Sequence, residues 1–391
     1  MKYHFDELID RRGTCCVKWD ECPSPDVIPM WVADMDFKVA PAIQEAIKKR
    51  AEHGIFGYTI VEEDYYETVI SWFQRRHHWT IQREEILYTT GVIPAMSCAI
   101  KALTMPGEKV LILSPDYNCF FSSIRNNGCE VSETILIKEG DSFVVDWKDF
   151  EQRCADEKTT VFLLCNPHNP TGRVWTKEEL DHMNTICMKY GVKVISDEIH
   201  GELIMPGYQF QPFAAVSEDC RQNSVILNSP SKSFNIAGLQ TANIICSQPD
   251  WRRRIDRAIN INEVCDLNPF GPVSLKAAYN ESEDWIDELN LYLWNNYQVL
   301  CQFFEKDLPH CKVTKLEGTY LVWVDVTHYT NHVEELCDHL LTDGKVWVNP
   351  GTMYGSESGK GYIRINIACP QSRMMEGLKR IKGTINHETK K

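Results

Sequence analysis

Basic residues are scarce beside acidic ones: 41 Lys and Arg stand against 55 Asp and Glu, a net charge of −14 over 391 residues. Nucleic acids and anionic membranes attract the opposite sign, so neither is expected as a partner. Long apolar runs are missing too. None approaches the roughly 20 residues of a membrane span. The opening stretch from Met1 to Asp10 is charged and lacks the apolar centre of a secretion signal, so the cytoplasm is the expected setting. No Cys-x-x-Cys occurs among the sixteen cysteines, and only Cys15 and Cys16 adjoin, which argues against zinc and dithiol-redox spacings. Reduced, mostly buried thiols are expected. Cys119 and Cys165 stand beside chemically interesting segments and are candidates for oxidation. Internal repeats and low-complexity linkers are absent. The one basic cluster is Arg252, Arg253, Arg254 and Arg257, interleaved with Asp250 and Asp256, and it reads as a solvated helix face or a subunit contact.

What is present is an alternation of strand-like and helix-like pieces, the pattern of an α/β fold with a mainly parallel sheet. Apolar runs at 110–113, 161–164, 192–195 and 224–227 read as strands. Thr176-Lys177-Glu178-Glu179 is a capping box, followed by an apolar stripe at Leu180, Met183, Ile186 or Cys187, and Tyr190, with Gly191 as the stop. Residues 282–308 form one long helical pattern without glycine or proline. Beyond it, 320–326, 345–348 and 361–367 are strand-like, and 331–341 and 371–381 helical.

Lys232 lies in Asn228-Ser229-Pro230-Ser231-Lys232-Ser233, a turn of small polar residues after an apolar run. Held away from bulk water, its amine shifts toward the neutral, nucleophilic form that a Schiff base with an aldehyde cofactor requires. An isolated lysine is usually a solvated surface charge, but four segments point the other way. Asp197 follows a strand-like run, with His200 three residues on, where open α/β sheets present ligand-facing groups. Cys165-Asn166-Pro167-His168-Asn169-Pro170-Thr171-Gly172 follows another run, and its X-Pro steps force a turning backbone. Thr90-Gly91-Val92-Ile93-Pro94 opens a helical stretch through Leu103, and a helix N-terminus binds phosphate. Ser114-Pro115-Asp116-Tyr117 closes a fourth run and offers an aromatic face.

These segments, in this order, resemble the fold-type I pyridoxal-phosphate enzymes, the aspartate aminotransferase superfamily. Trp31-Val32-Ala33-Asp34-Met35-Asp36-Phe37, Phe56-Gly57-Tyr58-Thr59, Ser196-Asp197-Glu198-Ile199-His200 and Arg364-Ile365-Asn366 with Ala368-Cys369-Pro370 are most similar to the bacterial cystathionine β-lyase/C–S lyase branch. The resemblance covers nearly the whole chain. It implies an aspartate-aminotransferase-like α/β fold, with a large pyridoxal-phosphate domain on a mainly parallel sheet and a smaller α+β domain. Residues 1–45 would form an N-terminal arm and part of the small domain, 46–285 the large domain, and 286–391 the C-terminal small domain.

The resemblance also implies roles. Lys232 carries pyridoxal 5′-phosphate and moves the substrate Cα proton. Asp197 pairs with the pyridine nitrogen, and Asn169 contacts the ring 3′-oxygen. His200 stands where many aminotransferases have a tyrosine, which leaves the second 3′-oxygen donor open. Gly91, Val92 and Ile93 offer N–H groups to the phosphate, with hydroxyls from Ser229 and Ser231. Gln240 replaces an arginine common eight residues after the lysine. Tyr117 stacks on the ring. Tyr58 reaches the phosphate of the other subunit in a homodimer with shared active sites. Arg364 receives the substrate α-carboxylate, beside Ala33, Tyr117 and Asn169.

The implied activity is α,β-elimination from L-cystathionine or L-cysteine-type substrates, giving pyruvate, ammonia and a thiol. The residues alone argue only for removal of a Cα proton. An aminotransferase is the first rival, separated by dependence on a 2-oxo acid. A regulatory or binding protein that keeps the fold is the second, and intact Lys232, Asp197, Asn169 and Arg364 speak against it. No metal is expected, because His168 and His200 lack a ligand spacing. The stretch from Gly351 to Gly361 imitates a phosphate loop but has Tyr354 at the first glycine and no Ser or Thr after Lys360. It reads as a mobile loop of the small domain at the active-site mouth.

Overall fold

The computed structural model describes residues 2–330 and 332–388. The four apolar runs become the strands Lys109–Ser114, Thr159–Cys165, Lys193–Asp197 and Ser224–Asn228. Successive strand side chains point to opposite faces, and both faces here are apolar. Val110, Ile112, Val161 and Leu163 pack with the helix Val92–Leu103, while Leu111, Leu113, Phe162 and Leu164 join a core with the helix Lys177–Tyr190. A strand covered on both sides reads as an unbroken apolar run, which is why these were legible.

Among the described residues the large sheet has seven strands, in the order Glu130–Ile135, Lys109–Ser114, Thr159–Cys165, Lys193–Asp197, Ser224–Asn228, Ala242–Ile245 and Ile86–Thr89. Ala242–Ile245 alone runs against its neighbours. The capping box is formed in both directions: Glu179 N donates to Thr176 Oγ1 at 3.2 Å and Thr176 N to Glu179 Oε2 at 2.9 Å. Gly191 ends that helix at φ 73°, a left-handed conformation that favours glycine.

The helix Glu283–Asp307 carries the chain to a second sheet. That sheet is antiparallel, ordered Lys312–Val313, Leu321–Asp325, Tyr362–Asn366, Asn349–Pro350. Asn296 of the helix donates to the Ile367 and Cys369 carbonyls at 3.0 and 2.9 Å, fixing helix against sheet. The helix expected from 331 runs Val333–Thr342, and Asn331 itself lies outside the described residues. The last helix, Gln371–Glu388, outruns the expected end at 381. Met374, Leu378, Ile381 and Ile385 are all fully buried, so a continuous apolar stripe outweighs the helix cost of Gly383.

Near the N-terminus, Ile28–Pro29 pairs in parallel with Val346–Trp347. The stretch from Gly351 to Gly361, expected as a loose loop, is anchored. Its Tyr354 is buried, Asp116 N donates to Tyr354 O at 2.7 Å, and the Ser114 and Ser358 hydroxyls meet at 2.6 Å. All sixteen cysteines are free. Among the described residues no helix is long and apolar enough to cross a membrane.

Candidate active site

Register brings the site together. Cys165 lies beside Asp197, and Asp197 beside Leu227, so three parallel strands end at one level. The loops that follow carry Asn169, His200 and Lys232. The strand Ile86–Thr89 leads into Gly91 and the helix Val92–Leu103, whose first-turn N–H groups have no partner within the helix. These segments enclose a cavity of about 290 Å³. Of the residues expected at the site, Ala33, Gly91, Val92, Ile93, Tyr117, Asn169, Asp197, His200, Ser231 and Lys232 line it.

Asp197 is 3% exposed and accepts one backbone hydrogen bond, from Ile199 N at 3.1 Å. Burial pushes its pKa up to about 7, against the pull of that N–H and of Lys232. Among the described residues no basic side chain reaches salt-bridge distance of it. A buried carboxyl so placed is matched to a cationic or N–H group of a ligand.

Lys232 is partly buried and donates from Nζ to the Ala33 carbonyl at 2.6 Å. Burial lowers its pKa, and Arg364 adds to this, while Asp34 and Asp197 oppose it. His200 is buried, and its Nδ1 has no hydrogen-bond partner. Burial, then Lys232 and Arg364, bring its pKa down to about 3, so the ring is neutral. His168 is spent elsewhere: Nε2 faces the Leu113 carbonyl and must donate, which leaves Nδ1 to accept from Thr171.

Arg364 is 3% exposed, with its guanidinium 4.5 Å from the Tyr354 ring centre. It donates to Asn169 Oδ1 at 3.2 Å and to the Trp31 carbonyl at 2.7 Å. Its Nε has no partner, and no carboxylate of the described residues forms an ion pair with it. A buried cation without an anion is the mark of a site that receives one. With Asn169 Oδ1 taken, the amide nitrogen is the atom left to donate into the cavity.

Three expected residues stand apart from the lining. Arg364 sits behind Asn169. Ser229 is outside because its hydroxyl donates to the Thr241 carbonyl at 2.6 Å and accepts from Ser231 N at 3.1 Å. Tyr58 is 100% exposed, next to exposed Ile55, Phe56 and Ile60. Cys165 lines the cavity, but burial raises its thiol well above the ordinary range, which disfavours the reactive thiolate. Sequence reasoning missed Thr241, which lines the cavity, and Tyr354, which covers Arg364. Thr241 lies just past the lysine segment, next to Gln240, while Tyr354 arrives from the distant small-domain stretch, and no local motif announces either.

The family described as aminotransferase class I and II matches residues 25–381. The chain belongs to the class I and II aminotransferase family. This aminotransferase-family chain is 38% identical to cystathionine beta-lyase PatB of Bacillus subtilis (strain 168), over 98% of this chain and 100% of the relative. A PLP-bound putative aminotransferase from Clostridium difficile 630 matches at TM-score 0.95 and 40% identity, covering 98% of this chain and 100% of the other. Cystalysin from Treponema denticola, whose structure contains pyridoxal 5′-phosphate, matches at TM-score 0.95 and 33% identity, covering 99% and 100%.

Proposed function

We propose that this chain is a pyridoxal-phosphate-dependent C–S β-lyase. It takes L-cystathionine and L-cysteine-type amino acids to pyruvate, ammonia and a thiol. The observation that carries the reading is a pair of uncompensated buried groups at one site: the Asp197 carboxyl, which lines the cavity without a cation, and the Arg364 guanidinium, which sits behind Asn169 without an anion. One suits the ring nitrogen of the cofactor and the other the α-carboxylate of an amino acid.

The remaining lining fits the same cofactor. Asp197 would hold the ring nitrogen, Asn169 and the unpartnered His200 the ring oxygen, and Tyr117 the ring face. Gly91, Val92 and Ile93 at the helix start, with Ser231, would hold the phosphate. Pyridoxal phosphate, when bound, supplies an aldehyde for amines and an electron-poor ring that takes up the pair left at Cα. Arg364 fixes the substrate carboxylate through its planar fork. Lys232, its proton affinity lowered by burial, takes the Cα proton at Nζ and carries it.

The outcome test uses L-cystathionine with no 2-oxo acid. Pyruvate, ammonia and homocysteine should accumulate through many turnovers, whereas L-alanine, with no leaving group at Cβ, should yield none. Strict dependence on an added 2-oxo acid with no thiol released would instead mark an aminotransferase, the description carried by the Clostridium difficile relative.

The active form is a homodimer in the cytoplasm, where sixteen reduced thiols persist. Tyr58 is fully exposed beside the exposed apolar Ile55, Phe56 and Ile60, and Ile93, which lines the cavity, is itself 37% exposed. A second copy that covers them would bring its Tyr58 to the phosphate end. Mixing inactive Tyr58→Phe chains with inactive Lys232→Ala chains should restore activity, because one site of each hybrid keeps both native groups. With exchange verified by labelled chains, activity that stays at the parental level rules out the shared site.

A further inference from the structure

The segment 31–37 crosses the site without regular structure. Side chains hold each of its carbonyls from Trp31 to Met35. Trp31 O accepts from Arg364 at 2.7 Å and Val32 O from Asn366 at 2.6 Å. Ala33 O accepts from Lys232 Nζ at 2.6 Å and from the Tyr320 hydroxyl at 3.1 Å. Asp34 O accepts from Asn366 at 2.8 Å and from Lys18 at 3.1 Å, and Met35 O from Arg11 and Asn235, both at 3.0 Å. The two cations of the proposed reaction, Lys232 and Arg364, therefore rest on one strap.

The strap is gripped from the N-terminal arm by charge. Arg11 meets both Asp34 oxygens, at 3.0 and 2.9 Å, and Asp36 at 2.8 Å. Lys18, only 1% exposed, lies 3.6 Å from the Asp34 carboxylate and 3.3 Å from that of Asp36. Trp19 and Arg373 complete the shell of Asp36, at 2.9 and 3.2 Å. Burial pushes the Asp36 carboxyl up, yet Lys18, Trp19, Arg11 and Arg373 together hold it below the ordinary range. Burying a lysine is costly unless its partners are fixed. This one touches nothing of the cavity and serves only the strap.

We propose that Asp34 is a positioning residue for Lys232: gripped by Arg11 and Lys18, it fixes the Ala33 carbonyl on which the lysine amine rests and shapes the field at that amine. The proposal rests on the reading of Lys232 as the cofactor lysine. The other groups facing the amine are Arg364, Asp197, Cys119 and His200, with Tyr320 sharing its carbonyl. Asp34 favours a proton on the amine and Arg364 disfavours it. Lys18 and Arg11 temper Asp34, so the arm acts on the lysine through one carboxylate.

The test is a pH titration of visible absorbance of the holoenzyme without substrate, which reads protonation of the Lys232 nitrogen. Asp34→Asn keeps the shape and removes the charge, so the midpoint should fall by about one unit. Lys18→Met removes a counter-cation and should move the midpoint up, while Lys18→Arg should restore the native value. A merely structural strap would change melting temperature or cofactor content but would not drive the midpoint in opposite directions. An unchanged midpoint in Asp34→Asn, or shifts of one sign in both variants, overturns the proposal. Should Lys18→Met not fold, Asp34→Asn decides alone, since its carboxylate is partly exposed and the swap is isosteric. A native protein with no borohydride-sensitive band overturns the cofactor reading and this proposal with it. A normal native band indifferent to Asp34→Asn overturns this proposal only.

Discussion

Lys232→Ala should lose at least ~10⁴-fold in turnover, because under the proposed function one substitution removes both the covalent tether and the proton carrier. The fold should survive it. The lysine makes one hydrogen bond, to Ala33 O, and that carbonyl keeps the Tyr320 hydroxyl as a second donor. The protein should therefore still melt cooperatively and still take up cofactor, now without a bond that borohydride can fix. Pyruvate release with L-cystathionine measures the first part, and mass spectrometry after borohydride the second. Near-native turnover in this variant removes Lys232 from the chemistry.

Arg364→Lys has the next largest effect, and on a different constant. A lysine keeps the charge but not the fork, and a charged hydrogen bond is worth about 1.5–3 kcal/mol, so KM should rise roughly ten- to a hundredfold. The cofactor absorbance should stay native, because Asp197 and Lys232 are untouched. Arg364→Met adds a thermodynamic signature. Since no protein anion balances this guanidinium, the ligand-free variant should melt no lower than the native chain, although it binds substrate poorly. A large drop in melting temperature, with KM unchanged, would mean that the arginine is structural and another cation takes the carboxylate.

The sequence disclosed what local physics controls. The Thr176–Glu179 box, the strand ending in Asp197 and the uninterrupted helix Glu283–Asp307 are each decided within a short window, and each appears where its residues place it. The convergence of Gly91, Asn169, Asp197 and Lys232 was legible because parallel strands present their C-terminal ends at one edge. What stayed hidden is decided across the chain. The Ser229 hydroxyl looked free until the Thr241 carbonyl arrived beside it. Tyr354 looked like a loop residue until Asp116 and Arg364 packed against it. The grip of Lys18 on Asp34 joins an arm to a strap that no periodicity connects.

The clasp between Ile28–Pro29 and Val346–Trp347 has a consequence for synthesis. A ribosome emits the strap first and its last clamps much later: Trp31 waits for Asn349, 318 residues later, and for Arg364, while Val32 and Asp34 wait for Asn366. At ordinary elongation speeds, on the order of ten seconds pass between the emergence of Lys232 and that of Arg364. During that interval the nascent chain has its lysine but lacks the Arg364 and Asn366 side chains that hold the Trp31, Val32 and Asp34 carbonyls on either side of Ala33. The strap is therefore complete only late in translation, once residue 366 has emerged.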